Sequence, residues 1–273
     1  MNKIFLRDAG IINEKTNKKY FNKKEFFLRL ENALFLCKKK SIGLQLTINQ
    51  DFFMKYYDFF LKKKKDFMSL KKLTVHLHAY YDSLISESKK TQRFVKLLNT
   101  FFKDLNNLDG YCIHPDNVSN YFFLKKLKTK KRYVAIEVCD LKSKSGNNVG
   151  EIRDLLKKNK FLTLVLDSSH INQIKEKYKE EYDISQYFYE FKKKIVEFQI
   201  SSNKNNYQKK IFTRNFKTDH CLLALSNKKI YNELKRLKGL KNINLVIEGV
   251  VPNNNFGHLL LNKEIRLLNN FKL

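Results

Sequence analysis

Short apolar runs rich in β-branched and aromatic residues alternate along the chain with longer, lysine-studded stretches. The runs 3–7, 42–47, 73–78, 110–114, 132–137, 162–167, 195–200 and 244–248 read as strands. The stretches between them carry helical spacing. Residues 24–38 place Phe27, Leu28, Leu30, Ala33, Leu34 and Leu36 near one face, and residues 92–106 do the same with Phe94, Val95, Leu97, Leu98 and Phe101. Residues 120–128, 149–158, 186–194 and 227–238 also read as helices, several with Asp or Asn near the start as caps. No short-period repeat and no linker divides the chain, so residues 1–273 read as a single domain.

Strands alternating with helices imply a parallel sheet. Several strands are apolar nearly throughout, as expected when both faces are covered. Eight such βα units in a chain of 273 residues match a closed (β/α)₈ barrel. An open doubly wound sheet would carry a glycine-rich phosphate turn after an early strand. Here the second strand leads into Asn49 and Gln50 instead.

Composition adds a charge of +28, from 55 basic and 27 acidic residues. The excess is 47 Lys against 8 Arg, beside 29 Asn, the pattern AT-rich codons produce. Arginine grips phosphate and bases bidentately, whereas lysine solubilises any surface. The charge is therefore a weak pointer to nucleic acid, and lysine runs such as 62–65 and 192–194 read as solvated faces. A hydrophobic fraction of 42% excludes global disorder. No uncharged apolar run approaches the ~20 residues of a membrane span, so no membrane partner is expected. The start of the chain does not read as a signal peptide. Cys37, Cys112, Cys139 and Cys221 stand far apart, which fits buried thiols in a cytoplasmic protein. There is no P-loop, nucleophile elbow or zinc-knuckle spacing.

The candidate chemistry sits at the strand ends. His78, His114, Glu137, Asp167, Gln199 and Glu248 close successive strands, and His170 follows Asp167. In a barrel these ends meet at one mouth, where imidazole, carboxylate and amide oxygen together form a divalent-metal site. Any one of them alone is an ordinary capped strand terminus; the whole series suggests a metal mouth. His76 is expected to face away from His78 and to be structural. Tyr80 and Tyr81 either stack on a sugar ring or pack. The tract 210–217 interleaves basic and aromatic residues, as a phosphate contact or a loop over the mouth would.

The segments CIHPDN (112–117), VAIEVCDLKSKSGNNVGEIRDLL (134–156), LTLVLDSSH (162–170) and LVIEG (245–249) resemble the xylose-isomerase-like TIM barrels. That superfamily holds sugar isomerases and epimerases and also endonuclease IV. The isomerase branch implies one divalent metal, such as Zn, Mn or Mg, on Glu137, Asp167, Gln199 and Glu248. Glu137 and Glu248 would shuttle a proton on a small sugar or sugar phosphate, and His170 would orient a hydroxyl. Tyr81, Asp219 and His220 are then candidate substrate contacts. The endonuclease IV branch implies a zinc cluster that cuts abasic DNA, with His78 and His114 as further ligands. Against it, Gln199-Ile200-Ser201-Ser202 stands where that branch shows H-L-N-D. Its D-R-H is missing, and Asp219-His220 has the wrong spacing. The Gly-Glu-Gly that both branches usually show after strand seven is absent from LLALSN (222–227). A barrel that has lost catalysis and only binds is the third expectation.

Overall fold

The computed structural model describes residues 3–12, 23–78, 88–140, 142–178, 183–202, 220–225, 228–237, 239 and 243–271. The strands in chain order are β1 (Lys3–Arg7), β2 (Ile11–Ile12), β3 (Gly43–Asn49), β4 (Leu73–His78) and β5 (Leu108–Ile113). They continue with β6 (Tyr133–Glu137), β7 (Thr163–Asp167), β8 (Ile195–Ile200), β9 (Asn244–Ile247) and β10 (Val251–Pro252). All but β2 and β10 form one closed parallel barrel in sequential order, with β9 pairing back onto β1 through Lys3↔Asn244 to Leu6↔Ile247. Every expected strand is present, with ends shifted by a residue or two. The small parallel pair β2–β10 ties the segment after β1 to the segment after β9.

The helices cover the barrel by burying one stripe each. Helix α1 (Lys23–Lys40) buries Phe26, Leu30, Ala33, Leu34, Leu36 and Cys37. The expected face was therefore slightly rotated: Leu28 is on the exposed side and Phe27 is only partly buried. Residues 89–102 bury Phe94, Val95, Leu98, Phe101 and Phe102, close to expectation. Three short helices over 50–55, 57–62 and 64–68 were not anticipated. Asn49 starts the first of them, its side chain accepting from the Phe52 N–H at 3.1 Å. Helices over 168–178 and 255–269 were also missed.

The short helices feed an aromatic cluster that anchors this side of the barrel. The Phe101 ring lies 5.8 Å from Phe53, 6.2 Å from Phe60, 5.9 Å from Phe67 and 4.8 Å from Phe102. Phe101→Ala should lower unfolding stability by about 3–5 kcal/mol in a urea titration, the range for a buried Phe truncated to a cavity. A loss under about 1 kcal/mol would mean that the cluster collapses around the gap.

Several lysines act as fasteners, some of them at the N-terminal ends of the barrel strands. Lys3 and Lys72 both pair with Asp109, at 3.0 and 2.9 Å. Lys194, in the run 192–194, donates to the carbonyls of Lys160 and Leu162. In the run 62–65, Lys63 and Lys64 pair with Glu31 and Asp104. No helix among the described residues is long and apolar enough to cross a membrane. The four cysteines are free and buried.

Candidate metal centre at the barrel mouth

Glu137 ends β6 and is completely buried. Its Oε2 faces the His76 Nε2 at 2.9 Å and the Cys112 thiol at 3.3 Å. Its Oε1 lies 3.2 Å from the His114 Nε2 and 3.4 Å from the His170 Nδ1. Burial alone would raise the Glu137 pKa, but the facing His114 and His76 hold it well below the ordinary carboxylate value. His76 has a defined tautomer. Arg7 Nη2 lies 3.3 Å from its Nδ1 and can only donate, so Nδ1 accepts and Nε2 donates to Glu137. A neutral ring agrees with a pKa that burial, Arg7 among its causes, pushes down to about 4.

Asp167, at the end of β7, uses Oδ1 to cap the following helix, accepting the N–H groups of Ser169 at 2.7 Å and His170 at 3.1 Å. His170 Nδ1 lies 2.9 Å from the Val138 carbonyl, so that nitrogen carries the proton. The same nitrogen is 3.3 Å from Asp167 Oδ2 and 3.4 Å from Glu137 Oε1, so it bridges the two strand-end carboxylates. His220 Nδ1 meets the Ser201 hydroxyl at 2.9 Å and Glu248 Oε2 at 3.4 Å. Burial pushes the His220 pKa down to about 4. Glu248 follows β9 directly and forms an ion pair with Arg7 from the end of β1.

Beneath this ring lies a further buried carboxyl. Glu197 accepts from the Gln45 amide at 2.7 Å, the Tyr133 hydroxyl at 2.8 Å and the Gln199 amide at 3.4 Å. Burial raises its pKa to about 7 despite these donors. A raised carboxyl favours folding while protonated. Its contribution is complete below the unfolded value of about 4.5 and is lost as pH rises through about 7. That difference corresponds to roughly 3 kcal/mol. Glu197→Gln should flatten the fall in urea-unfolding stability across this interval in metal-free protein; parallel pH profiles for variant and wild type would refute the assignment.

The four oxygen donors named from the sequence share one arrangement. Each has a polar atom engaged by the protein: Glu137 Oε2, Asp167 Oδ1, Gln199 Nε2, and Glu248 through Arg7. Each also has a buried oxygen that no well-aligned hydrogen bond occupies among the described residues: Glu137 Oε1, Asp167 Oδ2, Gln199 Oε1 and Glu248 Oε2, the three carboxylate oxygens facing imidazole nitrogens at 3.2–3.4 Å. Buried acceptors without donors are unfavourable unless a cation faces them. The donor set, three carboxylates and an amide oxygen on consecutive strands, fits a hard divalent ion.

Of the candidate residues, Glu137, Asp167, His170, Gln199, His220 and Glu248 converge here, and His78 and His114 line the adjoining side. Their rings lie 5.8 Å apart, and each is within 6 Å of the His76 ring. Tyr80, Tyr81, Asp219 and the tract 210–217 lie outside the described residues. His76 corrects an expectation. Residues two apart on a strand share a face, so His76 points into the barrel with His78 rather than away from it. Arg7, Cys112 and Glu197 were also missed, although the same period-two rule places all three on inward-facing positions.

No protein-family model matches the chain, and no curated protein matches its sequence. Solved structures do match in fold. One is a D-tagatose 3-epimerase-like protein, at TM-score 0.60 and 12% identity, with 98% of each chain covered. Another, assigned as a sugar phosphate isomerase/epimerase from Anabaena variabilis, matches at TM-score 0.57 and 11% identity over 96% of this chain and 88% of that one. A xylose isomerase-like TIM barrel/4-hydroxyphenylpyruvate dioxygenase fusion protein matches at TM-score 0.54 and 10% identity, over 98% of this chain and 42% of the fusion. The likeness is one of fold, a closed (β/α)₈ barrel shared with these proteins.

Proposed function

We propose that this barrel is a divalent-metal-dependent isomerase or epimerase of a small sugar or sugar phosphate. The observation that carries the reading is the set of four buried oxygens, on Glu137, Asp167, Gln199 and Glu248, that no well-aligned hydrogen bond occupies. A cation held there would polarise the carbonyl and hydroxyl oxygens of a bound substrate. The chain's own groups supply the rest. Glu137 and Glu248 come from β6 and from the end of β9, and in this reading one takes and the other returns the proton beside the carbonyl. His76 and Cys112 hold one Glu137 oxygen and leave the other toward the mouth. Arg7 fixes Glu248, and His170 presents its second ring nitrogen to a substrate hydroxyl. The sugar-processing names of two fold neighbours agree with this class.

The reading is tested by incubating the purified protein, loaded with Mn²⁺, Mg²⁺ or Zn²⁺, with a panel of ketoses and ketose phosphates. Formation of the epimer or the aldose, followed by NMR, is the expected result. Inertness toward the whole panel with metal bound would refute it.

A second reading, zinc-dependent cleavage of abasic DNA, is favoured by one observation. The imidazoles of His76, His78 and His114 gather beside Glu137, more nitrogen donors than a one-metal isomerase requires. Cutting of an abasic duplex that disappears in His114→Ala would select this reading over the first.

A further inference from the structure

Three groups of potential ligands occur among the described residues. His76–Cys112–Glu137 and Asp167–His170–His220 each share a carboxylate with the mouth. His114–Asp116–Cys139 shares none with the four-oxygen set. We infer that His114, Asp116 and Cys139 form a second cation site, selective for a zinc-class ion, which adjoins the mouth where His114 Nε2 faces Glu137 Oε1 at 3.2 Å. The inference is independent of the isomerase reading.

The geometry is compact. Each residue offers a ligand atom within 4.8 Å of the other two. A tetrahedral zinc bound to nitrogen and sulfur spaces its ligands by roughly 3.5–3.8 Å, so small side-chain adjustments close the set. All three residues lie just off the strands. His114 follows β5, Asp116 sits on the single turn Pro115–Asn117, and Cys139 lies two residues past the end of β6. The two loops are clamped together. The Cys139 N–H donates to the Gly146 carbonyl at 2.8 Å, and Gly146 packs on the Pro115 ring. Gly146 has φ +82°, and a Cβ there would lie 2.6 Å from that ring, so only glycine allows this approach. The clamp carries Cys139 up to the turn that bears His114 and Asp116.

Unmet bonding also marks the site. Asp116 Oδ1 is buried without a hydrogen bond among the described residues. The Cys139 thiol is fully buried; it makes a long 3.6 Å contact to the Glu137 carbonyl and shares a hydrogen bond with His114. His114 remains partly exposed, which leaves a path for an ion and for a water as fourth ligand. Thiolate, imidazole and carboxylate together prefer zinc-class ions, whereas the all-oxygen set prefers harder ones. Binding would release the Cys139 proton to solvent as the thiolate coordinates.

The test is a Co²⁺ titration of metal-free wild-type protein. A thiolate-to-cobalt charge-transfer band in the near ultraviolet is expected. It should vanish in Cys139→Ser and persist in Cys112→Ser and in Asp167→Asn. Asp116→Asn should weaken the Co²⁺ affinity read from the band by at least about tenfold. Should Cys139→Ser fail to fold by circular dichroism, Zn²⁺ must protect Cys139 from alkylation in the wild type, as mapped by mass spectrometry. Absence of the band in wild type, its survival in Cys139→Ser, its loss with Cys112→Ser, or alkylation unaffected by Zn²⁺ would overturn the site. Survival of the band in Asp167→Asn separates this result from the fate of the mouth ion.

Discussion

Asp167→Ala and Glu137→Ala should each strip the mouth of its ion. Both residues are completely buried, and each presents one oxygen that no well-aligned hydrogen bond occupies. Removing either leaves two carboxylates to balance a divalent charge. Even an outer-shell partner is worth about 10–100-fold in metal affinity, so loss of a direct ligand should exceed that. Elemental analysis after dialysis against trace Mn²⁺ is expected to find the metal in wild type and background levels in both variants. Full metal content in both would remove the basis for the site. Glu137→Ala has an added effect: it leaves the His76 Nε2–H, buried and neutral, without its acceptor.

Glu248→Gln should be the most damaging conservative change to turnover. It keeps volume and one oxygen while removing the proton-accepting charge and the ion pair to Arg7. Loss of a positioned general base lowers kcat by about 10²–10⁴-fold. KM should change far less, because the glutamine still fills the place of the carboxylate. Exchange of substrate hydrogen for solvent deuterium isolates the proton step and should fall in parallel with kcat. A variant with wild-type exchange would assign the base elsewhere and leave Glu248 a ligand or a positioning residue.

Much of this was legible in the sequence because a parallel barrel repeats one simple signal. Each strand is a short apolar run, and the residue that reaches the mouth lies at its end or one position from it. That rule placed Glu137, Asp167, Gln199 and Glu248 directly. What it could not give was the depth below the rim. Glu197, Cys112 and His76 sit inside strands, where sequence alone does not separate an inward polar residue from a surface one unless the period-two count is carried through. Arg7 is a single charge near the start of the chain, and only closure of β9 onto β1 brings it to Glu248. The helices over 50–68 were hidden by lysines and aromatics in no clean 3.6-residue pattern, because several short pieces wrap the cluster instead of one long helix. The pairing of Asp116 with Cys139 is less visible still, since it depends on Gly146 bringing two loops together. Among the described residues, the charge of +28, prominent at first, enters the mouth through Arg7. Several of its lysines instead pair with acids or cap carbonyls away from it.

The central claim is that one ion sits on four oxygens at the ends of β6 to β9. An anomalous difference map from a crystal soaked in Mn²⁺ tests it most directly. The account predicts a peak in contact with Glu137, Asp167, Gln199 and Glu248, lost in crystals of Asp167→Ala. A mouth without a peak, or a peak that touches the histidines alone, would contradict it.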